Sequence, residues 1–290
     1  MNIREQILTK ISSFPTLPVI TQRLLVLVED PNTPDSEIGK VIQYDPALTA
    51  NVLKAANSAL LGFAKPVSSI AEAGFRIGKK WIFQLAVSSL IYSNLRVFAH
   101  GYDLTAEELW KHSISVALMS ENLCKLLHMR DPGVIFTGGL VHDIGKIALQ
   151  EAVGNYFEQL QDRIDKEGLS FEEAEKNILG IDHAEVGALI AEHWQFSPTI
   201  IDMIRWHHNP EGAEQTSSAI DIVHAADAIC LMQGLGLGRD GLQYRCSEEA
   251  LSRLNLTKET VEKAISQLIV SLENIEHIFS DKPSESVLRR

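Results

Sequence analysis

The chain has 290 residues, enough for one large domain or two smaller ones, and its 45% hydrophobic content with a mean hydropathy near zero suits a soluble globule with a substantial core. A net charge of −12 repels the phosphates of DNA, RNA and anionic membranes at long range, which disfavours non-specific binding to any of them but leaves room for a small phosphate ligand held by metal ions. Three cysteines with no CxxC spacing (Cys124, Cys230 and Cys246) read as reduced thiols, the charged start Met1–Gln6 lacks the apolar run of a signal peptide, and apolar stretches such as Trp81–Val87 are too short to span a bilayer, so the expected location is cytoplasmic.

Taken in chain order, the predicted elements are helices almost throughout, with no alternating run of useful length for a strand, and the predicted fold class is all-α. Residues 1–102 read as a compact N-terminal helical bundle of short helices, punctuated by turns at Pro15, Pro18, Pro31, Pro34 and Pro66. Asp45-Pro46 places a capping residue before a proline at a first helical position. The stretch His100–Leu104 looks like a junction, and residues 103–280 read as a second helical domain. Its first helix is announced by the capping box Thr105–Glu108 and continued by the apolar row Val116, Met119, Leu123 and Leu126. Ser170–Glu173 is a second capping box and Asp182–Glu185 a looser one, followed by the row Val186, Ile190 and Trp194. Ser197-Pro198 repeats the capping-residue and proline start. The glycine-rich stretch Gln233–Gly241 reads as a flexible loop, not a nucleotide-binding fingerprint, because no strand precedes it. Residues 281–290 form a polar tail expected to fray.

The second domain collects imidazole and carboxylate groups. His142-Asp143 puts a nitrogen and an oxygen donor side by side. Glu108 and His112 share a helix face four residues apart, and His183, the pair His207-His208 and Asp227 follow downstream. Such a mixed set without thiolate suits iron, manganese, nickel or zinc at a catalytic site. Asp143 is the natural bridge between two ions, and a lysine at position 146 could offset the charge of a phosphate, which makes Asp143 and Lys146 the candidate catalytic residues. Blander roles are open for several of these. Glu108 also fits as the back-reaching member of its capping box, and Lys146 as a solvated lysine at a helix end. His100, His128, His193 and His277 read as surface or hydrogen-bonded histidines. Asp221 has no evident role, and His224, one turn before Asp227, could support a ligand from behind.

The order His112, His142-Asp143, Asp227 is similar to the H…HD…D pattern of the HD superfamily of metal-dependent phosphohydrolases. That resemblance implies that these four residues hold one metal. His183 and His207-His208 match the additional histidines of the HD-GYP branch, which hold a second and sometimes a third ion, and Glu108 matches the extra glutamate of its three-metal members. Val141–Lys146 is close to that branch's HDxGK segment. The N-terminal part resembles the HDOD family through Phe14–Pro18, Ile42–Leu48, Val52–Ala59 and Ser69–Gly78. This family consists of helical bacterial modules of signalling and regulatory proteins, many of which have lost part of the ligand set; the present chain keeps all of it. His207-His208-Asn209-Pro210 is not followed by a Gly-Tyr-Pro segment, which argues against cyclic di-GMP as a substrate.

The resemblance therefore implies a regulatory protein with two or three divalent ions, iron or manganese favoured. Its implied partners are signalling proteins and a phosphate-containing small molecule, and the net charge disfavours nucleic acid and membrane. The alternatives are an active phosphodiesterase or phosphohydrolase on a nucleotide-like substrate, and an interaction scaffold in which the cluster is structural.

Overall fold

Capping residues and prolines set where most helices begin, and buried apolar rows set how they pack. The computed structural model describes residues 2–12, 33–44, 46–57, 67–78, 100–236 and 246–279, together with isolated positions between them. Pro15, Pro18, Pro31, Pro66, Asp45, residues 237 and 239–241 of the glycine-rich stretch, and the polar tail lie outside the described residues. Among the described residues every regular element is helical, and no helix is long and apolar enough to cross a membrane.

Two compact units divide the chain, one formed by residues 18–93 and 265–290, the other by residues 1–17 and 94–264. In the smaller unit the helices α2 (Asp35–Gln43), α3 (Pro46–Ala56) and α4 (Ile70–Ile77) pack on one another through buried Ile38, Ile42, Leu48, Val52, Ile70 and Ala73. Pro34 leads into α2, and Ser69 caps α4 by accepting from the Glu72 N–H. Asn57 closes the connection beyond α3 by exchanging hydrogen bonds with the Val67 backbone.

The larger unit begins with α1 (Ile3–Ser12). This differs from the division expected from the sequence, in which the first helix goes with the N-terminal bundle and the boundary falls near residue 102. The reason is long-range burial: Ile7 and Ile11 are sequestered, and Arg4 reaches Glu185 at 3.3 Å. The junction His100–Tyr102 is a 3-10 turn of this unit whose Tyr102 side chain is fully buried.

The remaining helices are α5 (Ala106–Leu126), α6 (Pro132–Val141), α7 (Gly145–Asn155), α8 (Phe157–Glu167), α9 (Phe171–Leu179), α10 (His183–His193), α11 (Pro198–Trp206), α12 (Ser218–Met232) and α13 (Glu248–Arg253). A helix over Lys258–Phe279, α14, follows. The boxes at Thr105–Glu108 and Ser170–Glu173 form with both reciprocal bonds, starting α5 and α9. Asp182 caps α10 alone, because Glu185 turns to Arg4. Ser197-Pro198 does start α11, but the Ser197 side chain makes no cap bond. In the core, α5 lies against α6 and α12, while α10 lies against α7 and α11. Val116, Met119, Leu123, Val186, Ile190 and Trp194 are buried there, as their spacing predicts, while Leu126 at the end of α5 is only half-buried.

Candidate metal centre

Seven of the eight expected ligands converge in the larger unit, and each is placed by a helix end or a buried helix face. His112 lies in the second turn of α5 and Asp227 in the middle of α12, where Ile220–Cys230 is buried continuously. His183 is the first residue of α10, and His207-His208 follow directly after α11. His142-Asp143 occupies a three-residue turn between α6 and α7 whose backbone stays in the right-handed helical region, and both side chains are buried.

That turn is held by a close backbone crossing. A Cβ at Gly145 would lie 1.9 Å from the His183 carbonyl oxygen and 2.7 Å from the Gly187 nitrogen, and one at Gly187 would lie 2.9 Å from Ile204. Only glycine lets α7 and α10 approach this closely, and the approach brings Asp143 to His183.

Four imidazoles are oriented in the same way. The Nδ1 of His112 faces the Leu235 carbonyl at 3.0 Å, that of His142 the Gly139 carbonyl at 2.8 Å, and that of His207 the Ile204 carbonyl at 2.7 Å. The Nδ1 of His183 faces the Glu175 carboxylate at 2.7 Å. With acceptors opposite, each Nδ1 carries a proton and donates outward, which leaves Nε2 directed inward as the nitrogen that would offer a lone pair to an ion.

On the inner side, Asp143 Oδ2 is 3.3 Å from His142 Nε2 and 3.5 Å from His112 Nε2, while Oδ1 is 3.5 Å from His183 Nε2 and 3.7 Å from His207 Nε2. Asp227 Oδ1 lies 3.1 Å from His112 Nε2 and 3.8 Å from His142 Nε2. Donor atoms on one ion, each about 2.0–2.2 Å from it, stand at about such separations. The donors form two groups, Asp143 with His183, His207 and His208, and His112 with His142 and Asp227. His142 Nε2, His207 Nε2, Asp143 Oδ1 and Asp227 Oδ1 are all buried without a hydrogen-bond partner. Leaving a buried polar atom unmatched costs about 1–3 kcal/mol. Four such atoms aimed at one another fit a bound cation, so the residues present suit the divalent ions expected here.

The charges follow from this crowding. Burial works to raise the Asp143 carboxyl, but His142 and Lys146 outweigh it and hold the group well below the usual carboxylate range. Asp227 is likewise held low, against burial, by His112 and His142. Burial and the neighbouring His142 push His207 down to about 3, and burial with His207 and His183 pushes His208 well below the ordinary histidine value. Burial opposes protonation of His183 too, but the Glu175 carboxylate raises it to about 9. Without a metal, the His183 Nε2–H therefore donates to His208 Nε2, 2.8 Å away.

Two sequence expectations change. Lys146 is not a solvated helix-end lysine: it is 4% exposed, its ammonium donates to Asp143 Oδ2 at 2.6 Å, and it stands 5.8 Å from the centre of the Tyr102 ring. Glu108 is not brought to the cluster. It is exposed, and its Oε2 accepts from the Thr105 N–H at 2.8 Å and hydroxyl at 2.7 Å, so the capping role occupies it. His224 is buried and supports the site from outside. Its Nδ1 donates to the His207 carbonyl at 2.6 Å, and its Nε2 accepts from the Ser247 N–H at 2.8 Å, so both nitrogens are used. Asp221 binds Arg253 through both carboxylate oxygens and ties α13 to α12. His128 and His193 are exposed.

Sequence reasoning missed Glu175, which is fully buried and accepts from the His183 N–H, the His183 ring and the Tyr102 hydroxyl. A signal was present: Glu175 falls four residues from both Phe171 and Leu179, on the buried stripe of α9. Glu172 and Tyr244 were also missed. His112, His183, His208 and Asp227 open onto a void of about 10 Å³, which Lys146, Phe171, Glu172, Leu231 and Tyr244 also line. A void of about this size holds one water or ion. Burial raises the Glu172 carboxyl there.

The HDOD domain matches residues 14–210. An HDOD domain protein from Geobacter sulfurreducens has a similar crystal structure, with a TM-score of 0.69 at 25% identity over 95% of this chain and 96% of that one. An uncharacterized protein of Treponema pallidum is 26% identical over 223 residues, 75% of this chain and 42% of its own length. Ribonuclease Y of Thermus thermophilus is 25% identical over 181 residues, 62% of this chain and 24% of its own. The chain thus spans less than half the length of these two relatives.

Proposed function

This chain belongs to the HDOD family, and on that premise we propose that it is a signal-transduction or regulatory protein whose larger unit is built around two divalent ions. One ion would be held by His112, His142 and Asp227, the other by His183, His207 and His208, with Asp143 offering one oxygen to each. The observation that carries this reading is the set of four buried, unmatched donor atoms inside a ring of histidines whose outer nitrogens are all engaged. Iron or manganese suits the mixed nitrogen and oxygen donors.

A regulatory role is favoured over turnover by the enclosure. Small-molecule sites commonly offer about 300–1,000 Å³, against about 10 Å³ here. Ions at this position would join the ends of α6, α10 and α11 to the middle of α12, so metal loading would set the stability of the unit that a partner meets. The test is metal analysis of the purified protein with thermal unfolding before and after chelation. Bound metal and a lower melting temperature on chelation support the reading. A metal-free protein whose His142→Ala variant is equally stable rejects it.

The second reading is a phosphodiesterase or phosphohydrolase on a nucleotide-like substrate. It is favoured by the two-sided placement of Asp143 and by the ammonium of Lys146 at the void, and by the likeness to proteins named ribonuclease Y. Ions bound here would supply Lewis-acid chemistry and activate a water. Lys146 would offset phosphate charge, and the wall of Phe171, Glu172, Leu231 and Tyr244 would have to move aside. A panel of cyclic dinucleotides, cyclic mononucleotides and nucleotides assayed with iron and manganese decides it. Turnover abolished by Asp143→Asn supports hydrolysis, and no turnover on any member rejects it.

A further inference from the structure

Five histidines stand among the clustered donors, and four of them are held from behind: the Nδ1 of His112, His142, His183 and His207 each faces an acceptor. His208 is held differently. Among the described residues its hydrogen bonding is confined to Nε2, which meets His183 Nε2 at 2.8 Å. An ion at His183 Nε2 displaces the proton that makes this bond. The bond therefore belongs to the metal-free centre and cannot fix the His208 ring once metal enters. His208 is also only half-buried, whereas the other four are buried, so it has the most freedom to turn outward.

Ring packing remains. The His207 and His183 rings, with centroids 4.0 and 4.8 Å from that of His208, are fellow ligands. Tyr244 is not a member of the donor groups, and its ring lies 5.3 Å from His208, tilted by 57°. Rings at about 4.5–7 Å in tilted or offset arrangements attract one another. Tyr244 is in turn anchored to the site. Its ring stacks on His224 at 5.7 Å with 29° between the planes. Its hydroxyl lies 3.1 Å from His224 Nδ1 and 3.3 Å from the His224 carbonyl oxygen. His224 is itself bound to the His207 carbonyl and the Ser247 N–H. Resting on the metal-centre reading above, we propose that Tyr244 is the positioning residue for His208: its ring does by packing what an acceptor behind Nδ1 does for the other four histidines.

The full chain, stripped of metal, is titrated with Mn²⁺ while free Mn²⁺ is followed by its paramagnetic resonance signal. Wild type should bind two equivalents. Tyr244→Leu should keep one at wild-type affinity and weaken the other by about tenfold, the order expected when a ligand loses the partner that orients it. Tyr244→Phe keeps the ring and should bind both as wild type does. His208→Ala should weaken the same equivalent as Tyr244→Leu, and adding Tyr244→Leu to it should cost nothing more, because the two residues act through one contact. A folded Tyr244→Leu protein that binds both equivalents as wild type does overturns the assignment, and so does a loss that adds to that of His208→Ala. A Tyr244→Phe protein as weak as Tyr244→Leu makes the hydroxyl the working group and also overturns it. A wild type that binds no Mn²⁺ overturns the metal centre itself. A crystal structure of Mn²⁺-loaded wild type tests the point without a variant: Tyr244 packed on a metal-bound His208 supports it, and Tyr244 displaced from a metal-bound His208 overturns it.

Discussion

Gly145→Ala should damage the protein in a way that reads directly on the metal centre. The added Cβ would sit 1.9 Å from the His183 carbonyl oxygen, a backbone atom that no rotamer change can move. Reaching ordinary contact at 3.4 Å requires α7 and α10 to part by about 1.5 Å. Overpacking of this kind costs about 1–3 kcal/mol, while the gain in helix propensity from glycine to alanine is at most ~1 kcal/mol, so the steric loss wins. The same parting would stretch the 3.5 Å between Asp143 Oδ1 and His183 Nε2 toward about 5 Å. Two donors on one ion can stand at most about 4.4 Å apart, so the pair could no longer share a metal. Urea unfolding of the chelated and metal-loaded protein is the assay. The chelated variant should lose about 2 kcal/mol, and the loaded variant more, because ion binding no longer adds its share. A variant within about 0.5 kcal/mol of wild type in both states would refute the argument that this glycine crossing builds the site.

Glu175→Gln removes the anion that fixes the His183 tautomer, and metal affinity in a chelator competition should fall by about 10–100-fold. Lys146→Met leaves Asp143 buried without its ammonium; chelated protein should lose about 3 kcal/mol or more in urea unfolding, and added metal should restore most of it by replacing the lost positive charge. Glu108→Ala should cost about 0.5–1 kcal/mol as a cap change and leave the bound metal per chain unchanged by elemental analysis, since its carboxylate serves Thr105. Because Glu175 raises His183 to about 9, the metal-free ring holds its extra proton below that pH and an entering ion must expel it. Metal affinity should therefore weaken on acidification, by about tenfold for each unit between pH 8 and pH 6 for that one proton, as measured by calorimetric titration in buffers of differing ionisation enthalpy.

Local chemistry was the legible part of the sequence. The boxes at Thr105–Glu108 and Ser170–Glu173 depend on residues three apart and formed as read. Seven of the histidines and aspartates singled out in the sequence also meet in one unit. What sequence could not decide was which of two compatible roles a residue takes. Glu108 had the spacing for a cap and for a ligand, and its exposure on the first turn of α5 settles it as the cap. Lys146 stands three residues from Asp143, so an ion pair was open to it, but its burial follows from Tyr102 and the crossing of α10. That crossing depends on Gly145 meeting Gly187, a long-range match that no local pattern announces. The placement of α1 with the later helices has the same origin, since Ile7 and Ile11 are buried through partners far along the chain.

The most direct measurement is a crystal of the protein purified without chelator, with anomalous scattering collected on both sides of the iron, manganese, nickel and zinc edges. Two peaks are predicted, one among His112, His142 and Asp227 and one among His183, His207 and His208, each in contact with a different oxygen of Asp143. A crystal with no anomalous peak, in which His142 Nε2, His207 Nε2, Asp143 Oδ1 and Asp227 Oδ1 are satisfied by ordered water alone, would contradict a metal-built unit.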